Sequence, residues 1–439
     1  VNKIRQIITA RRISLGLILL LAALMYLSTL IPQEIDATPG KIEAWRLGHQ
    51  WLLWLIDGVN LHRIYAQPWF AALILFSTLA LGISSLDQLS TARKKLYTTG
   101  IGTAEEVAAS ISEQLLQSVA KSQRYCCLQT GSKDLLKFVR NPWGYFGVLL
   151  LHLGMTLVIA ASLYVSLTGR QSTLILLEGE QPDLPQSWDA SEHGLLAAPL
   201  KLPGTIRLDK VNVSFDKNNQ PAEVTSNISF LDDSGRVDTL SASINRISKY
   251  RGLRIYHASQ YGSAFTVSFT DKTGTTHAEK ILAQQPVNLT TAGYSDDFGV
   301  TWSPYLFSAK YFADADKKTM LSRNPQLIVR FLDGKKELAR TTLTSGNTGM
   351  LGEYRLRLLG VGKWSKLIIV DIRGMSVIFT GFAIIMLGGL VHYLTPPREI
   401  IGIRLHDGRY RVYWRATVFS DFFVDERDSL TTALNREIT

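Results

Sequence analysis

The sequence predicts an α+β membrane protein: four transmembrane helices, with a large extracytoplasmic antiparallel β domain, sandwich or barrel-like, between helices 3 and 4. Three observations predict it. The apolar residues, 46% of 439, are clumped, and four clumps are long enough to cross a hydrocarbon core of about 30 Å. Lysine and arginine gather at alternate ends of those clumps. Between the third and fourth, about 200 residues change to short Thr-, Val- and Ile-rich stretches separated by turn signals, the mark of antiparallel strands.

Residues 1–86 hold a basic N-terminus (Lys3, Arg5, Arg11, Arg12) and two apolar runs, Ile13–Ile31 and Trp69–Leu86. The first ends in Leu30-Ile31-Pro32-Gln33, with no small-x-small cleavage pattern, and is expected to be retained as a span. In the loop Gln33–Pro68, Trp45, Leu52 and Leu55 recur at near-helical spacing beside Trp51 and Trp54. Tryptophan favours the membrane boundary, so this is either a short helix on the outer surface or one packed under the outer domain.

Residues 87–142 form a cytoplasmic insert. Arg93, Lys94 and Lys95 follow the second run, and Lys133, Lys137 and Arg140 precede the third, as membrane-anchoring charges. An amphipathic helix is expected from Thr103 to about Ala120, with Glu106 completing a capping box. A hairpin, Arg124–Gln129 with Asp134–Val139, turns at Thr130-Gly131-Ser132, and Asn141-Pro142 offers an N-cap and a first-turn proline to the next helix. The tail, 396–439, opens with Arg398 and Arg404. Positive-inside bias then places both termini and the insert in the cytoplasm and the outer segment beyond the membrane.

The third run, residues 143–167 (Trp143–Leu167), carries His152 near its middle. An imidazole gains nothing from lipid, and polar groups at that depth usually serve a site or a partner. Two readings stand: a packing histidine whose ring donates to a neighbouring carbonyl or to Thr156, or an axial ligand for a metal or haem, since neutral imidazole is a common nitrogen donor. Gly147 and Gly154 lie nearly opposite the histidine, so the helix is expected to meet protein on both sides.

The outer β domain, residues 168–373, contains the expected strands Thr205–Phe215, Asn227–Phe230, Arg254–His257, Ala264–Phe269, Gln326–Phe331 and Tyr354–Leu359, with Lys366–Asp371 running into the last span. Asp232-Asp233-Ser234-Gly235, Asp271-Lys272-Thr273-Gly274 and Asp333-Gly334 read as turns. In the fourth run, 374–395, Gly374, Gly381 and Gly388 recur every seventh residue as a close-packing stripe. His392 lies about 27 Å along this helix, not at the depth of His152, and is expected at the surface.

The net charge of +10 comes largely from residues flanking the spans, and no basic run interleaved with aromatics suggests nucleic acid. The two cysteines, Cys126 and Cys127, form no CxxC pair and read as strand residues on the reducing side. No phosphate-binding, zinc-protease or nucleophile-elbow motif is present.

Several short motifs occur in a fixed order relative to the runs: Ile31-Pro32-Gln33; Leu61-His62-Arg63-Ile64-Tyr65-Ala66-Gln67-Pro68-Trp69-Phe70; Leu151-His152-Leu153-Gly154; Leu177-Glu178-Gly179-Glu180; and Asn245 followed by Tyr250-Arg251-Gly252-Leu253-Arg254-Ile255-Tyr256-His257-Ala258-Ser259-Gln260-Tyr261-Gly262. In these, nearly the whole chain resembles the ResB/CcsB family of System II cytochrome c biogenesis. It departs at Asp371-Ile372-Arg373-Gly374, where the family commonly has Asp-Pro-Gly. The resemblance implies a bacterial inner-membrane subunit with its large domain on the periplasmic side, a non-autonomous part of a haem lyase. Its implied cofactor is haem b, held by His152 and shared with a ResC/CcsA-type tryptophan-rich partner; the haem is then attached to apocytochrome c. Arg12, Arg140 or Arg170 could meet the propionates. His62 and His257 fall in the motifs but also read as ordinary polar residues, and His49, His193, His277 and His406 carry no signal. The alternative is a cofactor-free membrane scaffold that docks a partner through its outer β domain.

Overall fold

The computed structural model describes residues 11–34, 37, 39–98, 101–128, 134–180, 187–232, 234–321, 324–334 and 336–436. The chain divides into two compact units, one of residues 1–26, 68–165 and 374–439, the other of residues 27–67 and 166–373.

In the first unit, Pro68–Tyr97, Pro142–Thr168 and Met375–Leu394 are long and apolar enough to cross a membrane, the only such helices among the described residues. The first expected span is helical over Arg11–Leu30, but its described apolar stretch, Leu15–Leu30, is shorter than the other three. Pro68 opens the second helix, where its missing N–H costs nothing, and Lys94 and Lys95 lie in its last turn, complementing the helix dipole.

The insert and the tail build one antiparallel sheet. Its strand order is Glu105–Ile111, Tyr410–Ala416, Arg398–Arg404, Leu135–Arg140 and Cys126–Leu128. The predicted hairpin forms, with Cys126 opposite Val139 and Leu128 opposite Lys137; its turn lies outside the described residues. The helix expected from Thr103 does not form as drawn. Glu105–Ile111 is a strand paired with the tail, Glu105 opposite Trp414, and the helix is Glu113–Ser122, capped by Ser112, whose Oγ accepts from Leu115 N–H. Val107, Ala108 and Ile111 fit either period, and a partner strand some 300 residues away chose the extended one. Helices Glu113–Ser122 and Val424–Asn435 bury Leu116, Val119, Leu430 and Leu434 with Phe138, Ile400 and Trp414. Asn141 does not cap with its side chain; it supplies a left-handed backbone (φ 57°) before Pro142.

The second unit is dominated by antiparallel β structure. Two 18-residue strands, Leu253–Thr270 and Tyr354–Asp371, pair along their lengths. At about 3.4 Å per residue each reaches roughly 60 Å, and each serves two cores in turn. Leu253, Ile255, Leu367 and Ile369 pack beneath the three-stranded sheet Thr205–Phe215, Pro221–Leu231 and Val237–Ser243. Phe265, Val267, Phe269, Leu356 and Leu358 pack against Phe307, Val329 and Phe331 of a second sheet. Among the described residues the strand orders are open, giving sheet-on-sheet layers rather than a closed barrel. The aspartate turns behave as read: Asp271 Oδ1 accepts from the N–H groups of Thr273 (2.8 Å) and Thr275 (2.9 Å).

Candidate functional site

His152 lies on Gly147–Thr168, after a 3-10 turn at Pro142–Phe146. The helix is held on both sides, as its small residues suggested. A Cβ at Gly154 would lie 2.8 Å from the Gly381 carbonyl oxygen, and one at Gly388 would lie 2.6 Å from the Leu151 nitrogen. On its other side Thr156 Oγ1 is 3.1 Å from Ser85 Oγ of the second helix.

The imidazole itself is half-buried, Nδ1 is enclosed, and no hydrogen bond reaches the ring from any described residue. The Thr156 hydroxyl, the neighbour a packing histidine would use, instead donates to the His152 backbone carbonyl at 2.8 Å. An enclosed polar atom without a partner costs about 1–3 kcal/mol. Among the described residues no three His, Cys, Asp or Glu side chains come together to hold a metal ion.

The other histidines are placed as follows. His62 is 5% exposed, its Nδ1 is 2.9 Å from the Pro32 carbonyl, and its Nε2 is enclosed and unpartnered. His257 is fully engaged: Nδ1 lies 2.6 Å from the Ala258 carbonyl and Nε2 lies 2.9 Å from Ser226 Oγ, which reaches Ser365. His392 is half-buried, its backbone against Gly147. His49 stacks on Trp45, His277 stacks on Trp302, His193 turns back to the Gly194 carbonyl, and His406 is exposed. Of the three arginines considered for propionates, Arg12 is exposed, Arg140 pairs with Glu426 (3.3 Å) and Arg170 with Asp371 (3.8 Å).

The first two motifs bind one another. Gln33 Nε2 donates to the Leu61 carbonyl (3.1 Å), and Glu34 N–H to the His62 carbonyl (3.1 Å). Glu178 accepts from Val211 N–H, and Arg251-Gly252 forms a positive-φ turn before the long strand. The Trp51 and Trp54 side chains are exposed, while Ile56, Leu61 and Ile64 face inward.

One cluster was not legible in the sequence. Lys137, expected as a surface anchor, is wholly buried because its strand is interior to the sheet. Its ammonium donates to the carbonyls of Lys95 (2.5 Å) and Thr98 (3.2 Å) at the end of the second helix, and Glu399 is 3.5 Å away. Glu399 also accepts from Tyr145, at the start of the third helix, and from Arg415 Nη2 (2.6 Å). Burial pulls the Lys137 ammonium below its usual range despite Glu399. Nearby, Glu426 accepts from Arg398 (2.9 Å) and Tyr125 (2.7 Å).

Known proteins resemble this chain over most of its length. The chain is similar to a cytochrome c biogenesis protein CcsB of Trichormus variabilis, 22% identical over 404 residues, 89% of this chain and 84% of that one. Another CcsB, from Synechococcus sp. (strain WH7803), is 24% identical over 433 residues, 93% of each chain. The ResB-like family model matches residues 11–413, from the first helix through the sheet that insert and tail share, and the chain belongs to that family.

Proposed function

We propose that this chain takes part in cytochrome c biogenesis as the membrane subunit of a System II cytochrome c synthase, assisting haem delivery across the membrane and its attachment to apocytochrome c. Family membership and the names of the similar proteins support the role. The observation that supports the chemistry is the His152 ring, polar and without an internal partner in an apolar helix. In this reading His152 would be this chain's ligand to haem b, and a histidine of a separate ResC/CcsA-type chain would be the other. When bound, haem would supply the groups at which the apocytochrome becomes attached. The glycine-packed side of the helix holds it close against Met375–Leu394.

The Lys and Arg distribution supports an inner-membrane protein with four spans, Arg11–Leu30 included, both termini in the cytoplasm and the β domain in the periplasm. Cysteine labelling that reached position 216 or 333 from the cytoplasm would overturn that orientation.

The test of the site is a visible spectrum of the purified two-chain complex. With His152→Ala the Soret band per complex should fall, and added imidazole should restore part of it. Unchanged haem content with no imidazole effect would leave the cofactor-free scaffold.

A further inference from the structure

The second unit exposes apolar side chains in two places, both tied to the ends of apolar helices. The first is the loop before Pro68. Trp51 and Trp54 are 71% and 76% exposed there and Leu55 stands beside them, while Ile56, Leu61 and Ile64 turn inward. No charged residue occurs from Gln50 to Ile56. The second is the turn after the strand Ala190–His193, where Leu195 and Leu196 are exposed in an uncharged run from Gly194 to Leu200.

Hydrogen bonds fix both projections to helix ends. Leu196 N–H donates to the Leu167 carbonyl (2.9 Å) and Gly194 N–H to the Gly169 carbonyl (2.8 Å), at the end of Gly147–Thr168. A Cβ at Gly194 would lie 2.4 Å from the Ser166 and Leu167 carbonyl oxygens, so only glycine lets the turn sit that close. The tryptophan loop is closed at its base. There Gln33 reaches the Leu61 carbonyl, His62 lies against the Pro32 carbonyl, and the Tyr65 hydroxyl is 2.6 Å from Ser28 Oγ. Trp54 precedes Leu61 by about 10 Å of mostly helical chain. Ser166 Oγ donates to the Tyr65 carbonyl (3.0 Å), which joins the base of this loop to the helix end that holds Leu196.

We propose that Trp51, Trp54, Leu195 and Leu196 enter the lipid surface and seat the β-rich unit on the membrane. The end of a span marks the level at which the chain leaves the hydrocarbon. Apolar side chains tied close to that end therefore meet the headgroups and the upper acyl region. Indole suits this region, with an apolar ring and one N–H for water or a headgroup. Lipid accounts for both projections together, because they come from segments far apart in sequence and share their attachment to one group of helix ends. A protein partner would have to reach both at that level. The inference rests on the apolar helices crossing a membrane and is independent of any role in haem handling.

The experiment uses the full chain in phosphatidylcholine nanodiscs, with Cys126 and Cys127 replaced by serine and a nitroxide on one introduced cysteine. The labelled variants are Leu55→Cys and Leu195→Cys beside the proposed anchors, Leu79→Cys on the exposed face of Pro68–Tyr97, and Lys272→Cys in an exposed turn. Collisions with oxygen, which concentrates in lipid, are compared with those of a water-soluble nickel chelate. The ratio should favour oxygen at 55 and 195, as at 79, and nickel at 272. Trp51→Ser with Trp54→Ser should reverse the preference at 55 and leave 79 and 272 unchanged. Nickel access at 55 or 195, exclusion of both reagents there, or an unchanged ratio at 55 in the double variant would overturn the proposal. Nickel access at 79 would refute the membrane-crossing helix, and the proposal with it.

Discussion

The Lys137 ammonium and the Glu399 carboxylate lie 3.5 Å apart with side chains 0% and 1% exposed. Through them the end of the helix Pro68–Tyr97, the start of Pro142–Thr168 and the strand following Met375–Leu394 share one hydrogen-bonded cluster. A pair this deeply enclosed contributes little beyond hydrophobic residues of like size, yet breaking it leaves one charge stranded.

Lys137→Ala is therefore expected to destabilise the protein by about 3–5 kcal/mol, read as a drop in the unfolding midpoint in detergent. Lys137→Met combined with Glu399→Gln should cost clearly less than the sum of the two single changes. Additive losses would show that the two groups do not act as a pair.

The glycine contacts between the third and fourth helices give a second expectation. A side chain at Gly154 would collide with the Gly381 carbonyl and with Ile385, whereas one at Gly389 meets nothing within 4 Å. Gly154→Val should lower stability by about 1–3 kcal/mol or more, while Gly389→Ala should be close to neutral. Similar midpoints for both variants would contradict this packing.

A third expectation concerns pH. Burial, opposed by the Ala258 carbonyl, holds the His257 pKa below its ordinary value of 6.5. In the neutral ring Nδ1–H can donate to the Ala258 carbonyl. Below about pH 6.5 the unfolded chain takes up a proton that the folded one resists, so stability falls as pH falls, by at most about 1.4 kcal/mol per unit. Unfolding midpoints of the intact protein should drop between about pH 7 and pH 5.5, and His257→Gln should flatten that slope. An equal slope in the variant would remove His257 as its cause.

The cysteines supply a fourth. Cys126 and Cys127 are free and exposed on an edge strand, and partial burial together with Glu113 raises the Cys127 thiol further from thiolate form. Replacing both with serine should leave folding and cytochrome c maturation unchanged. Lost maturation at normal protein levels would assign them a role.

The legible part of the fold was what local chemistry writes. The third and fourth spans show as apolar length, and strands such as Thr205–Phe215 show as alternation between acidic turns. Of the candidate site, His152 was legible because an imidazole is conspicuous among leucines, and the helix-packing side was legible from Gly154, Gly381 and Gly388. Thr103–Ala120 misled because a capping pattern and Val107-Ala108 satisfy a helix locally, while the competing strand partner, Trp414, stands far along the chain.

By itself the sequence determined the positions of the apolar helices, the β character of residues 168–373 and the lone imidazole at 152. These depend on hydropathy, periodicity and side-chain identity within a few turns of chain. Only the tertiary structure decided that insert and tail share one sheet, that Lys137 is enclosed against Glu399, and that Thr156 bonds the His152 carbonyl and leaves the ring alone. It decided these because strand pairing and burial depend on which distant segment arrives, and neither charge nor periodicity encodes that at the position itself.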